Sequence, residues 1–154
     1  MKKMILAASL LLCGAAGASD SDSAITFNAN LGDFETYGVG FYQLNGRDKL
    51  GFAVQGDYYS DTVSAFGNRY GEMVSRVHLG LTYGVTDKLY IAPMVGATYG
   101  KFDYLVADSS DTKVTVSVAG VYQLDRVALK LGVGTAKTFV HDDPVVELGF
   151  GFTF

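Results

Sequence analysis

The chain has a single cysteine, two prolines, two histidines and no tryptophan. Beyond residue 18 it has no apolar run long enough to cross a bilayer as a helix. The one cysteine, Cys13, lies in the leader-like start, so the remainder cannot form an internal disulfide. Basic residues are outnumbered 12 to 16, and a net charge of −4 excludes a nucleic-acid partner, which needs a basic footprint. His78 and His141 have no cysteine to join them in a catalytic zinc site. Neither has a serine placed to form a nucleophile–base pair with a carboxylate behind it, so the reading is of no enzyme, no catalytic residues, no metal and no cofactor. What is abundant is glycine, at 19, with ten Tyr and ten Phe: strand-forming aromatics broken by tight turns.

Lys2 and Lys3, the apolar Met4–Cys13 stretch and Ala16-Gly17-Ala18 have the layout of a secretory signal peptide. Residues 1–18 are expected to be cleaved and 19–154 to form one domain. Cleavage removes two lysines and no acid, which takes the net charge from −4 to −6. The rival is a lipoprotein signal with Cys13 acylated, but Leu12 stands where a small residue is needed.

The last ten residues, Val145-Val-Glu-Leu-Gly-Phe-Gly-Phe-Thr-Phe154, place Val146, Leu148, Phe150, Phe152 and Phe154 on one face of a strand. Glu147, Gly149, Gly151 and Thr153 fall on the other. Apolar side chains toward lipid and small or polar ones toward a lumen is the pattern of a transmembrane barrel strand. The same alternation marks eight candidates, at roughly 24–31, 36–44, 49–59, 72–84, 88–101, 113–124, 127–140 and 145–154. The expected fold is all-β: an eight-stranded antiparallel up-and-down transmembrane β-barrel. A soluble sandwich or lipocalin-like barrel would turn the apolar faces inward; the terminal Phe154 and the signal peptide decide against it.

Asn45–Asp48, Val85–Asp87 and Asp125-Arg126 read as tight turns, whereas Ser60–Gly71 and Phe102–Thr112 read as longer acidic loops at the opposite end. Pairing Leu44 with Lys49 sets Phe41 against Phe52 and Val39 against Val54. Pairing Gly84 with Lys88 sets Tyr83 against Leu89 and Leu81 against Ile91. Two aromatic girdles are expected, with Phe27, Phe52, Tyr83, Tyr122 and Phe154 below and Tyr37, Tyr58, Tyr99 and Phe139 above. Pro93, in mid-strand, predicts a bulge or a lost ladder bond.

Leu79-Gly-Leu-Thr-Tyr-Gly-Val-Thr-Asp-Lys-Leu-Tyr-Ile91, Val118-Ala-Gly-Val-Tyr-Gln123 and the Gly-Phe-Gly-Phe-Thr-Phe154 end resemble strands of the small Ail/Lom/OmpX group of outer-membrane barrels. The resemblance implies residence in the outer membrane of a Gram-negative bacterium. It also implies that Phe150, Phe152 and Phe154 form the signal read by the barrel-assembly machinery. The two longer loops lack the basic-aromatic character of the group's adhesive members.

Gln55, Asp57, Arg76, His78, Lys130 and Glu147 fall on the lumen face, with Asp57 expected diagonal to Arg76. An eight-stranded barrel is just wide enough for its side chains to fill it, so these six are expected to plug the lumen as a polar network. Lys101 and Lys137 continue the outward face above the apolar band and are candidate contacts to lipopolysaccharide phosphates. Asp103, Asp108 and Asp111 read as a solvated acidic loop rather than a cation site. The expected role is a monomeric structural or surface-interaction protein, its partners outer-membrane lipids and lipopolysaccharide, the assembly machinery, and an external protein or phage component. A narrow pore is the alternative.

Overall fold

A computed structural model describes residues 22–32, 35–65, 68–104, 107–137 and 142–154, with side chains described for these except 61–70, 102–108 and 136–143. The proposed signal peptide, Phe139 and His141 lie outside the described residues.

Eight strands follow one another: β1 Asp22–Leu31, β2 Thr36–Leu44, β3 Leu50–Ala65, β4 Asn68–Gly84, β5 Leu89–Tyr104, β6 Ala107–Leu124, β7 Val127–Lys137 and β8 Asp142–Thr153. Each pairs antiparallel with the next, and β8 closes on β1. Following bonded partners from Ala24 through Tyr42, Ala53, Gly80, Met94, Ser117 and Gly134 to Val145 returns to β1 beside Gly32, eight residues from the start. Eight strands with a shear of eight tilt by about 36° and leave an interior that side chains alone can fill.

The alternation predicted from the sequence sets which side of the wall each residue takes. The outside is apolar: Val114 is 71% exposed, Leu131 63%, Leu50 62% and Phe27 61%, with Leu79, Leu81, Val116 and Leu148 among many others. The inside is where the polar residues lie, with Gln55, Asp57, Arg76, His78, Lys130 and Glu147 all nearly solvent-free. So large an exposed apolar surface around a polar interior suits hydrocarbon rather than water.

The registers differ from expectation by two residues in two hairpins. Phe41 pairs with Val54 and Val39 with Gly56, because the β2–β3 turn does not close on itself. Gly46 (φ 86°) and Asp48 (φ 58°) turn the chain so that Arg47 bridges to Gly84 and the Asp48 amide donates to the Gly84 carbonyl. Tyr83 pairs with Ile91 rather than Leu89, since the Thr86 hydroxyl accepts from the Lys88 and Leu89 amides and enlarges the turn. A two-residue shift keeps every side chain on its face, which is why the pattern survives the error.

Pro93 costs rungs and adds no bulge. The β4–β5 register runs to Gly80–Met94 and resumes at Tyr83–Ile91 with the same offset, skipping Leu81 and Thr82. Phe27 is another correction: bonded to Val39 and Phe150 in mid-strand, it belongs to the middle of the wall rather than to the lower girdle.

The largest departure concerns the two long loops. Most of Ser60–Gly71 and Phe102–Thr112 is strand: β3–β4 pairing reaches Ala65–Asn68, β5–β6 reaches Tyr104–Ala107, and β4–β5 reaches Gly71–Asp103. On the flanks, β2 stops pairing with β3 at Tyr37–Tyr58 and β7 stops pairing with β6 at Gly134–Ser117. A four-stranded wing, β3 to β6, thus stands above the rest of the rim, with β3 running seven residues past its last β2 partner, about 20 Å along the strand.

Leu131 pairs with Gly120 and Leu148 in the middle of the wall, whereas Leu50 begins β3 at the turn end. Leu131→Arg should therefore destabilise the barrel in vesicles by about 2–4 kcal/mol, and Leu50→Arg by about 0–1. Urea titration measures both; equal costs would contradict a lipid-facing wall.

Candidate functional site

The lumen is layered. At the turn end its inward positions are apolar or small, with Ala24, Tyr42, Leu44, Ala53, Tyr90, Ala92, Met94, Ala119, Val121 and Ala128 forming one buried cluster. The sequence reading expected small or polar residues here and missed this floor. Above the polar belt, Val74 and Val145 form a second cluster with Tyr59 packed on it.

Between the two apolar layers, four charges alternate in sign. Arg76 Nη2 lies 3.0 Å from Asp57 Oδ2 and 2.9 Å from Glu147 Oε1. Its Nε also donates to Asp57 Oδ2, at 3.1 Å. Lys130 Nζ donates to Glu147 Oε2 at 2.6 Å. The order Asp57–Arg76–Glu147–Lys130 sums to zero, as burial demands. Gln55 knits it together, donating from Nε2 to Asp57 Oδ2 (2.9 Å) while its Oε1 accepts from Lys130 Nζ (2.5 Å) and from the Tyr42 hydroxyl (2.9 Å). Lys130 Nζ also sits 5.9 Å from the Tyr42 ring centre.

Register explains why these groups meet. Asp57 and Arg76 are direct partners on β3 and β4, not diagonal as expected, and Gln55 and His78 form the next inward pair. Lys130 is opposite Gly149, and Glu147 opposite Gly132. A Cβ at Gly149 would come within 2.9 Å of Lys130 Cβ and 2.6 Å of Asn28 Oδ1, so the glycine makes room for the lysine stem. Gly134 does the same for Glu147, whose Oε1 would lie 3.1 Å from an added Cβ.

Of the six predicted lumen residues, five share this network and His78 stands beside it. His78 Nε2 is 3.0 Å from Thr115 Oγ1, which is 3.4 Å from Thr98 Oγ1. Thr115 lies 37 residues from His78 and no local pattern announced the contact. A hydroxyl beside an imidazole suggests a nucleophile and its base, but Nδ1 of His78 has no hydrogen-bond partner among the described residues. Without a carboxylate to orient the ring, the pair is half of a triad.

The remaining predicted residues lie elsewhere. Phe150 and Phe152 meet edge to face, 5.7 Å between ring centres, and with Phe154 are exposed on the outer wall. Lys101, partly exposed, is bonded opposite Met73 and Ser110 within the wing. Lys137 pairs with Asp142 at the top of β7, and its side chain lies outside those described. Asp103 and Asp108 are backbone partners, while Asp111 pairs with Lys113 at 3.2 Å. Among the described residues no group of three or more His, Cys, Asp or Glu is placed to hold a metal.

An up-and-down barrel closed at eight strands, apolar outside and ion-paired inside, has the fold of the small outer-membrane barrel proteins. The crystal structure of Ail, the attachment invasion locus protein of Yersinia pestis, in complex with the heparin analogue sucrose octasulfate superposes with a TM-score of 0.66, covering 88% of this chain and 100% of that one at 13% identity. The N-terminal β-barrel domain of Pseudomonas aeruginosa OprF gives 0.57, over 86% and 97% of the two chains at 14% identity. Neisserial surface protein A gives 0.52, over 86% and 94% at 14% identity. At these identities the likeness is one of fold. No protein-family model matches the chain, and no curated protein sequence does.

Among the described residues, Arg76→Ala removes the only cation bonded to the buried Asp57, leaving it Gln55 alone as a donor while Glu147 keeps Lys130, and should lower stability to urea by about 3–5 kcal/mol. Asp57→Ala leaves Arg76 its bond to Glu147 and should cost less; the double variant should cost less than the sum. Strict additivity would mean that the two side chains do not interact.

Proposed function

We propose that this is a monomeric integral protein of the bacterial outer membrane that acts at the cell surface through its wing, with its lumen closed. The observation that carries the reading is the contrast between the two ends of the barrel. The turn end carries a cluster of buried apolar residues, and the belt above it is occupied by side chains bonded to one another. The other end raises β3 to β6 well beyond their neighbours. Inward side chains that fill the lumen leave the rim as the working surface.

On this reading residues 1–18 are a cleaved signal peptide, the short turns face the periplasm and the wing faces outward. Phe150, Phe152 and Phe154 serve recognition by the assembly machinery, and Lys101 and Lys137 meet lipopolysaccharide phosphates. The partner of the wing is an external protein or a phage component. No catalytic role is assigned: among the described residues the Thr115–His78 hydroxyl–imidazole pair lacks an orienting acid.

An epitope inserted between Ala65 and Asn68 should be labelled on intact cells, and a chain lacking both wing tips should still migrate as a heat-modifiable outer-membrane barrel. Labelling that appears only after the envelope is permeabilised would contradict both the location and the orientation.

A further inference from the structure

The two oxygens of Asp57 are treated very differently. Oδ2 accepts from Gln55 Nε2, Arg76 Nε and Arg76 Nη2. Oδ1 has no hydrogen-bond partner among the described residues, on a residue only 3% exposed. A charged oxygen taken out of water without a donor carries its full desolvation cost, so something must meet it.

A donor stands one strand beyond the neighbouring one. Bonded partners run Gly149, Asn28, Gly38, Asp57 across β8, β1, β2 and β3. A Cβ at Gly38 would lie 2.5 Å from Asp57 Oδ1, and one at Gly149 would lie 2.6 Å from Asn28 Oδ1. Asp57 therefore leans its bare oxygen over Gly38 toward β1, while Asn28 turns its carbonyl toward β8. That carbonyl accepts from the Thr26 hydroxyl, at 2.9 Å, which leaves Nδ2 as the end of the amide turned away from β8. Nδ2 is also buried and without a partner among the described residues. The same holds for Oδ1 of Asn30, the next inward side chain on β1. β1 and β3 are two strand spacings apart, about 10 Å, and only a glycine lies between. Two side chains this short do not close such a span by themselves.

Whatever joins them must accept from Asn28 and donate to Asp57. A cation cannot accept, and it would unbalance four belt charges that already sum to zero. An anion is repelled by Asp57. We propose that a water molecule is bound over Gly38, accepting from Asn28 Nδ2 and donating to Asp57 Oδ1, with Asn30 Oδ1 taking its second hydrogen. About three polar partners is the usual complement of a buried water. The water ties β1 to the ion network across a strand that contributes no side chain there. The site is independent of the surface role of the wing, and its failure would leave that reading untouched.

The test uses the full barrel, isotope-labelled and folded in lipid nanodiscs. The Asn28 side-chain amide protons should show a magnetisation-transfer peak at the water frequency, with the sign of a long-lived bound molecule. The peak should persist in Thr26→Val, which removes the nearby exchanging hydroxyl. In urea unfolding, Asn28→Ala combined with Asp57→Asn should cost less than the sum of the single changes, although no direct bond joins the two residues. The wild-type urea midpoint should be the same in sodium, caesium or tetramethylammonium chloride. An observed Asn28 amide with no water peak, or strictly additive costs, would overturn the site. A midpoint raised by one small cation would overturn the water in favour of an ion.

Discussion

Arg76 lies between two carboxylates on opposite sides of the lumen, and much of the interior is arranged around it. Its guanidinium joins β4 to Asp57 on β3 and to Glu147 on β8, and Lys130 on β7 completes the balance. Each of these ions would be expensive to desolvate alone, by several kcal/mol even after relaxation. Linked in alternating sign, they neutralise one another. The surrounding residues accommodate the chain: Gln55 bonds both Asp57 and Lys130, Tyr42 donates to Gln55, and glycines at 134 and 149 leave space for the charged stems. Direct partnering of Asp57 with Arg76 shows how closely the network depends on register.

Closure of the sheet imposes the complementary demand on the outside. In hydrocarbon no backbone group can go unpaired without cost, so the wall must be continuous and its outward side chains apolar. The chain meets this almost everywhere, with the lost rungs at Pro93 as the clear exception. Beyond the apolar band the demand lapses, and there the strands become unequal. β3 to β6 continue as a paired wing while β1, β2, β7 and β8 end early. An interior committed to side-chain packing, a wall committed to lipid and a rim freed from both give the barrel a natural division of roles.

Much of the fold could be read from period two alone. Strand number, order and the facing of nearly every residue follow from alternation, and six of the inward polar residues were identifiable before any contact was known, while others such as Asn28, Asn30 and Thr98 were not singled out. What alternation cannot supply is offset along the strands. The Thr86 turn and the Gly46–Asp48 turn each shifted a register by two, invisibly to the pattern because two residues restore the same face. It also misjudged the wing, since polar stretches such as Asp108-Ser-Ser-Asp111 resemble loops when the strand rises out of the apolar band and the hydrophobic face is no longer needed. The apolar floor escaped for the opposite reason. Around Phe41-Tyr-Gln-Leu44 both faces carry large apolar groups, so composition does not say that Tyr42 and Leu44 point inward. The Thr98–Thr115–His78 contact depends on three strands at once and has no local signature.

Ion conductance across a planar bilayer bears most directly on the central claim, that the neutral belt and its apolar floor close the lumen. Purified wild-type protein should insert without giving stable single-channel steps, and loss of any one charge of the belt should open no more than a small leak. Steady unitary conductance from the wild type, altered by substitutions at Arg76 or Glu147 and untouched by removal of the wing, would contradict the account and make the barrel a pore.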